Sequence, residues 1–414
     1  MRYTCCILGS HLLLYWAWLG AARLGGAAPG AAELLRGLAA DPPLPTAASA
    51  ALYLGFVAVQ AAWALALPGP VVRGAEAPRP LLYRCNGVWC WAATLVSLAA
   101  LQVSGLLPLR AWVDRSGSLL TTAVLAGNAA AALVHLGAFR AGSQRPGATH
   151  CVRDFFMGVA RHPRLGGLDI KMFCEIRVSW ILLAVLCLSC AAKQHHEYGS
   201  VSSPMMLVVA TQLLYTNACM KGEECIPTTW DIAHEYYGWM LAFWNLAGVP
   251  FLYCTQALYL CHVPPFEHGA ALTVCLAVAQ AFAYWMWDTA NSQKNRYRMM
   301  QRRTFVPRRA PPQFAYGTLR NPRSLKLERG TLLVDGWWRH LRKPHYTADL
   351  AMALVLGLAC GGGSVLPYIY VGMMAPMLVH RARRDERRMR DKYGEAGWSE
   401  YVSAVPWVML PGIY

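Results

Sequence analysis

Charge is what this 414-residue chain has least of. Only 14% of its residues are charged, against 56% hydrophobic. Soluble domains run near one-quarter charged, so the deficit points to lipid. Acid is scarcest: 22 Asp and Glu stand against 38 Lys and Arg, giving a net charge of +16. From Thr289 to Leu327 no acidic residue occurs. The excess of base does not imply nucleic acid, because the basic residues fall in the gaps between apolar blocks. No Gly-x-Gly-x-x-Gly turn follows a strand, and Gly361 to Gly363 lie inside an apolar run. A soluble Rossmann domain is excluded, and any dinucleotide must bind among helix ends and loops. None of the 14 cysteines forms a pair with zinc spacing and a second pair to match. The expectation is no metal site, no disulfide framework and ordinary buried thiols. No fixed-period repeat or low-complexity tail is visible.

Long apolar runs are what the chain has instead. They lie near 8–28, 47–69, 86–108, 117–139, 178–192, 203–219, 239–261, 269–287 and 350–379. A helix needs about 20 residues to cross the hydrocarbon layer. The last run is too long for one ordinary crossing and is broken at Gly361-Gly362-Gly363-Ser364. It reads as two short crossings joined by a tight turn. The expected fold is all-α: a polytopic integral membrane helical bundle of about ten transmembrane helices. The segment 5–19 behind Arg2 also has the look of a signal peptide, but a retained first span places every later loop consistently. Residues 29–50 read as a Pro/Ala-rich loop. The reading divides the chain into an amino-terminal four-span bundle, 1–140, and a core, 141–414.

Basic loops stay cytosolic. The runs around Lys294, Arg298 and Arg302, and from Arg381 to Lys392, then share one side. Both termini fall there too, with four polar patches near 154–177, 215–245, 288–346 and 380–401. Chemistry is expected at this cytosolic mouth.

Three basic or aromatic pieces suit a phosphate-bearing ligand. Arg381, Asp385, Arg388 and Lys392 share one helical face, with Gly394 as a C-cap. Arg matches phosphate oxygens bidentately, and Tyr393, Trp398 and Tyr401 add planes for stacking. Lys294 and Arg298 lie four apart on a second helix. Trp337 and Trp338 precede His340, Arg342, Lys343, His345 and Tyr346. Against this stands a bland alternative, in which these are topology-setting cations and interfacial tryptophans. The fourth piece is ionisable and close to the membrane: Tyr215, Glu224, Asp231 and Tyr237, with Lys171 and Glu175 opening the fifth span. Ionisable groups at that depth default to functional candidates, the alternative being interhelical ion pairs.

These motifs resemble the sterol reductase family, which includes sterol 14-reductases, 7-dehydrocholesterol reductases, 24(28)-sterol reductases and lamin B receptor. Asp154-Phe155-Phe156-Met157-Gly158, Trp230-Asp231 with His234 and Gly238, and His380-Arg381, Arg384-Asp385 and Lys392-Tyr393-Gly394 carry the likeness. Asp169-Ile170-Lys171-Met172-Phe173, Tyr215-Thr216-Asn217-Ala218-Cys219, Phe243-Trp244-Asn245 and Lys343-Pro344-His345-Tyr346-Thr347 resemble the 24(28) branch. Other branches usually have Asn-Tyr at the last of these. The resemblance implies an endoplasmic reticulum membrane enzyme holding NADPH at the cytosolic mouth beside a sterol pocket. It implies cofactor contacts from Lys294, Arg298, Leu333, Trp338, His345, Tyr346, Arg381, Asp385, Met389, Arg390, Asp391, Lys392, Tyr393 and Tyr401. Met389 stands where the family often has Cys, and 394–398 is one residue longer than usual.

An unactivated alkene accepts hydride poorly, so protonation should come first, from a buried acid. Tyr215 is the first candidate, with Glu224, Asp231 and Tyr237 behind it. The expected partners are a sterol from the bilayer, membrane lipid and other enzymes of sterol synthesis, with no nucleic acid. Reduction at position 14 or 7 is the nearest alternative. A membrane methyltransferase and a non-catalytic sterol-binding scaffold are alternatives of other classes.

Overall fold

The computed structural model describes residues 1–75, 80–305 and 319–414. It is mostly helical. Among the described residues, five helices are long and apolar enough to cross a membrane: Arg2–Ala22, Ala47–Ala66, Ser116–Arg140, Ile170–Tyr198 and Ala270–Gln301. Gly87–Val103 is apolar but shorter. The only sheets among the described residues are three two-stranded antiparallel hairpins. The chain divides into two compact units, 1–267 with 362–367, and 268–361 with 368–414.

In the first unit, part of the expected 29–50 loop is a helix, Ala31–Ala40. Its Ala- and Leu-rich sequence favours helix, and the Glu33 carboxylate accepts from Gly30 N at 2.8 Å. The prolines at 42 and 43 follow its end rather than interrupting it. Ile170–Tyr198 contains a π-helical turn over Phe173–Trp180. The run expected as one span over 239–261 is broken into Trp239–Phe243, a π turn at Trp244–Gly248, Val249–Leu252 and Thr255–Leu260. Pro250 has no N–H to give to the helix ladder, which accounts for irregularity there. The Ser179 hydroxyl bridges the π turns, donating to the Asn245 carbonyl at 2.9 Å.

Two glycines fix the polar loops of this unit. Gly158 has φ 89°, and a Cβ there would lie 2.5 Å from Gly238 N; one on Gly238 would lie 2.1 Å from Gly158 N. The two backbones touch, beside the Tyr237 N to Ala160 O hydrogen bond of 2.8 Å.

The second unit is built on Ala270–Gln301 packed along Pro344–Ala359, with the long helix Ile369–Ala404. Its hairpin pairs Ser324–Leu327 with Gly330–Leu333. The helix preceding the Gly361–Ser364 break ends at Ala359, as the glycines suggested. Gly394 interrupts the last helix with φ 75° and ψ 164°, but helical geometry resumes to Ala404. The terminal residues return to cap this segment: Trp407 O and Val408 O accept from Arg342 N and Lys343 N at 2.9 and 2.8 Å.

No disulfide joins the cysteines, all of which are described. The expectation of burial fails for Cys5, Cys6, Cys151 and Cys275, which are exposed. For Cys5, Cys6 and Cys275 an apolar neighbourhood in sequence marks a helix that meets lipid as well as one that meets protein, whereas Cys151 caps the short helix Val152–Met157 after a polar stretch.

Candidate active site

In the second unit, sequence-distant cations converge on one carboxylate. The turn Gly336–Arg339 is set by Asp335, whose side chain accepts from Arg323 N at 2.9 Å and Gly336 N at 2.8 Å. Gly336 has φ 57°, and a Cβ there would meet the Gln293 side chain at 2.5 Å. The turn delivers Trp338, whose indole donates to Ala290 O at 2.9 Å. Lys294 Nζ then stands 4.9 Å from the Trp338 ring centre, within cation–π range. His345 lies 5.2 Å from Trp338 and 4.3 Å from Tyr346, centre to centre.

Lys343 donates to Asp385 Oδ2 at 2.8 Å, and Arg388 lies 3.9 Å from Oδ1. Arg342 is occupied elsewhere. It donates to Glu386 at 2.8 Å and to the Val405 and Pro406 carbonyls, also at 2.8 Å. Burial pushes the Asp385 carboxyl up, but Lys343, Lys294 and Arg381 outweigh it and hold the group below the ordinary carboxylate range. Burial, then Lys294, Lys343 and Arg381, push His345 well below the usual imidazole value. His345 is therefore neutral, in a locality with more positive than negative charge. Its Nδ1 is buried without a hydrogen-bond partner among the described residues.

The candidates from sequence separate into four groups. Lys294, Arg298, His345, Arg381 and Asp385 are half-buried and act on one another electrostatically. Leu333, Trp338 and Tyr346 are buried walls. Arg390, Asp391 and Lys392 are exposed, and Met389 is half-buried. Tyr393, Trp398 and Tyr401 are interior, only 4–5% exposed, packed with Leu332 and Val405. Burial pushes the Tyr401 hydroxyl up to about 12. These three rings are core rather than open stacking platforms. Lys343 stands in the basic run read from sequence but not among the expected cofactor contacts. Its one signal is position, immediately before the proline that starts a helix, and nothing local reveals a partner 42 residues on.

In the first unit, Tyr215 is half-buried on Ser203–Lys221, its ring 5.1 Å from that of Trp180. Glu224 and Asp231 are also half-buried, on the 3-10 turn Glu223–Thr228 and the short helix Trp230–Ala233. Tyr237 is enclosed at 1% exposure, and its hydroxyl donates to Cys174 Sγ at 3.2 Å. Burial pushes that hydroxyl well above its ordinary range. Lys171 is fully buried and donates to the carbonyls of Ile232 and Glu235 at 2.6 and 2.8 Å. It pegs the 230–237 loop in place. The pairing that sequence left open is Arg177 with Glu223, the neighbour of the candidate Glu224.

The arrangement can hold anions in the second unit and offers several hydroxyl and carboxyl acids in the first. The chain is similar to sterol reductases, three of which follow. A Delta(24(24(1)))-sterol reductase of Gibberella zeae is 39% identical over 416 residues, covering 97% of this chain and 70% of its own length. Delta(24(24(1)))-sterol reductase erg4A of Aspergillus fumigatus is 38% identical over 425 residues, covering 99% and 90%. A Delta(14)-sterol reductase of Methylotuvimicrobium alcaliphilum is 35% identical over 377 residues, covering 89% and 84%. The model of the ergosterol biosynthesis ERG4/ERG24 family matches residues 36–414. With its apolar helices, this family match and this near-full-length similarity, the chain belongs to this family of multi-pass membrane sterol reductases.

Proposed function

We propose that the chain reduces the 24(28) double bond of an ergosterol-type sterol side chain, using NADPH. The observation that carries this is near-full-length similarity, at 38–39% identity, to two Delta(24(24(1)))-sterol reductases. The 14-reductase relative is less similar and covers less of the chain, so reduction at position 14 is the second reading.

The residues present fit NADPH. Lys294, Arg298, Lys343 and Arg381 outnumber Asp385, and phosphates would relieve that imbalance. His345 Nδ1 offers a further polar atom without a partner. Trp338 and Tyr346 brace the imidazole. When bound, the cofactor supplies hydride. The protein's own work is to orient, to exclude water and to deliver a proton. Tyr215 is the proposed donor: a half-buried hydroxyl on a helix whose neighbouring residues are largely apolar. Tyr237 is enclosed and engaged with Cys174, so it meets no substrate without rearrangement. Glu224 and Asp231 stand behind Tyr215.

The same reading places the chain in the endoplasmic reticulum membrane, with about ten spans, cytosolic ends, and a core over 141–414. Its sterol arrives from the bilayer, and neighbouring enzymes of sterol synthesis are its expected company. Sterol profiling by mass spectrometry tests the proposal. Cells that lose the protein should accumulate a sterol with a 24(28) double bond; accumulation of a 14-unsaturated sterol would favour the second reading.

A further inference from the structure

His345 differs from the charged groups around it in one respect: it can change its charge near neutral pH. It sits at the second residue of Pro344–Ala359, at the positive end of the helix dipole, where protonation is disfavoured. The charged groups facing it come from all three long helices of the unit. Lys294 on Ala270–Gln301, Lys343 before Pro344 and Arg381 on Ile369–Ala404 act on it directly, and Arg298 and Asp385 act on Lys294 beside it. The Asp385 carboxylate is already bound to Lys343 at 2.8 Å. Trp338 and Tyr346 lie beside the ring at 5.2 and 4.3 Å, centre to centre. Its Nδ1 is buried with no partner among the described residues.

We propose that His345 takes up a proton when the phosphates of the dinucleotide bind, so that cofactor affinity rises as pH falls through neutrality. The inference rests on the reading that this cluster holds NADPH. The physical reason is reversal of the local field. Without ligand, the neighbours are mainly cations and the imidazole stays neutral. Phosphates bring several negative charges into the same low-dielectric region, and nearby negative charge favours the imidazolium. By linkage, whatever raises proton affinity on binding makes binding tighter at lower pH. An uncharged amide at this position would hold the ring's place without the proton.

Calorimetric titration of the purified full chain with NADPH tests this directly. It is run at pH 7 in two buffers of different ionisation heat, for the wild type and for His345→Asn. The difference in heat between buffers gives protons exchanged, without reference to turnover. The 2′-phosphate titrates near pH 6 and exchanges protons of its own, so the comparison between proteins isolates His345. The wild type should take up more protons than the variant, by up to about one per cofactor. Equal exchange in both would overturn the proposal. If the variant does not fold, the wild-type dissociation constant between pH 6 and 8 decides. Tightening by up to about tenfold per unit fall in pH supports it, and a flat profile overturns it. Absence of binding at every pH would instead refute the NADPH reading itself.

Discussion

The Arg177 guanidinium and the Glu223 carboxylate meet at 2.6 Å, each side chain only 3% exposed. Glu223 also accepts from Gly87 N at 2.6 Å, and Arg177 donates to Asn86 Oδ1 at 2.8 Å. Asn86 in turn donates to the carbonyls of Trp63, Ala64 and Leu67. One ion pair therefore ties the end of Ala47–Ala66, the start of Gly87–Val103, Ile170–Tyr198 and the 223–228 turn together.

Removing one partner of such a pair leaves a buried charge uncompensated, at a cost on the order of 3–5 kcal/mol. Glu223→Ala should lower the unfolding temperature of the detergent-solubilised protein sharply. Glu224→Ala, one residue on and half-buried, should lower it much less. Equal losses would show that the pair does not hold these segments.

Asp385 gives a pH dependence with a definite sign. Its folded-state carboxyl lies below the ordinary range because Lys343, Lys294 and Arg381 outweigh the effect of burial. A depressed carboxylate contributes stability that is present above the unfolded value of about 3.9 and is lost as pH falls through the folded value. The wild type should therefore exceed Asp385→Asn in stability at pH 6, with the gap closing as pH drops below about 4. Chemical denaturation at each pH measures the gap; a constant difference would contradict the electrostatic account.

Much of this was legible in the sequence, for identifiable reasons. Apolar runs with basic flanks place helices because the bilayer restricts which segments can cross, and the Gly361–Ser364 break was visible as a local composition change. The cations Lys294, Arg298 and Arg381 draw notice because positive charge stands out in a weakly charged chain. What escaped depends on distance. Lys343 finds Asp385 42 residues away, and the Glu223 partner of Arg177 is distinguishable from Glu224 only once the helix phase is known. The rings of Tyr393, Trp398 and Tyr401 read from sequence as stacking planes, but packing against Leu332 and Val405 makes them core, a role that an aromatic side chain serves equally well.

Arg381 should contribute to cofactor selectivity. Charge-assisted hydrogen bonds contribute about 1.5–3 kcal/mol. Arg381→Ala should therefore weaken NADPH binding by roughly ten- to a hundredfold and leave the order of preference among sterols unchanged. Binding titrations with NADPH and NADH, beside sterol competition assays, read both effects. A variant with altered sterol preference and unchanged NADPH affinity would place Arg381 outside the cofactor site.

Tyr215→Phe removes one hydroxyl and keeps the ring against Trp180. If Tyr215 delivers the proton, the variant should bind NADPH normally and lose turnover by on the order of a hundredfold or more. A rate near that of the wild type would move the assignment to Glu224 or Asp231.

The most direct test of the central claim is a competition in reconstituted vesicles. Purified protein and NADPH are supplied with equal amounts of sterols unsaturated at 24(28), at 14 and at 7, and each product is followed by mass spectrometry. The account predicts that the 24(28)-unsaturated sterol gains two hydrogens first and fastest, with NADPH consumed in equal amount. Preferential reduction of the 14- or 7-unsaturated sterol, or product formation without NADPH consumption, would contradict it.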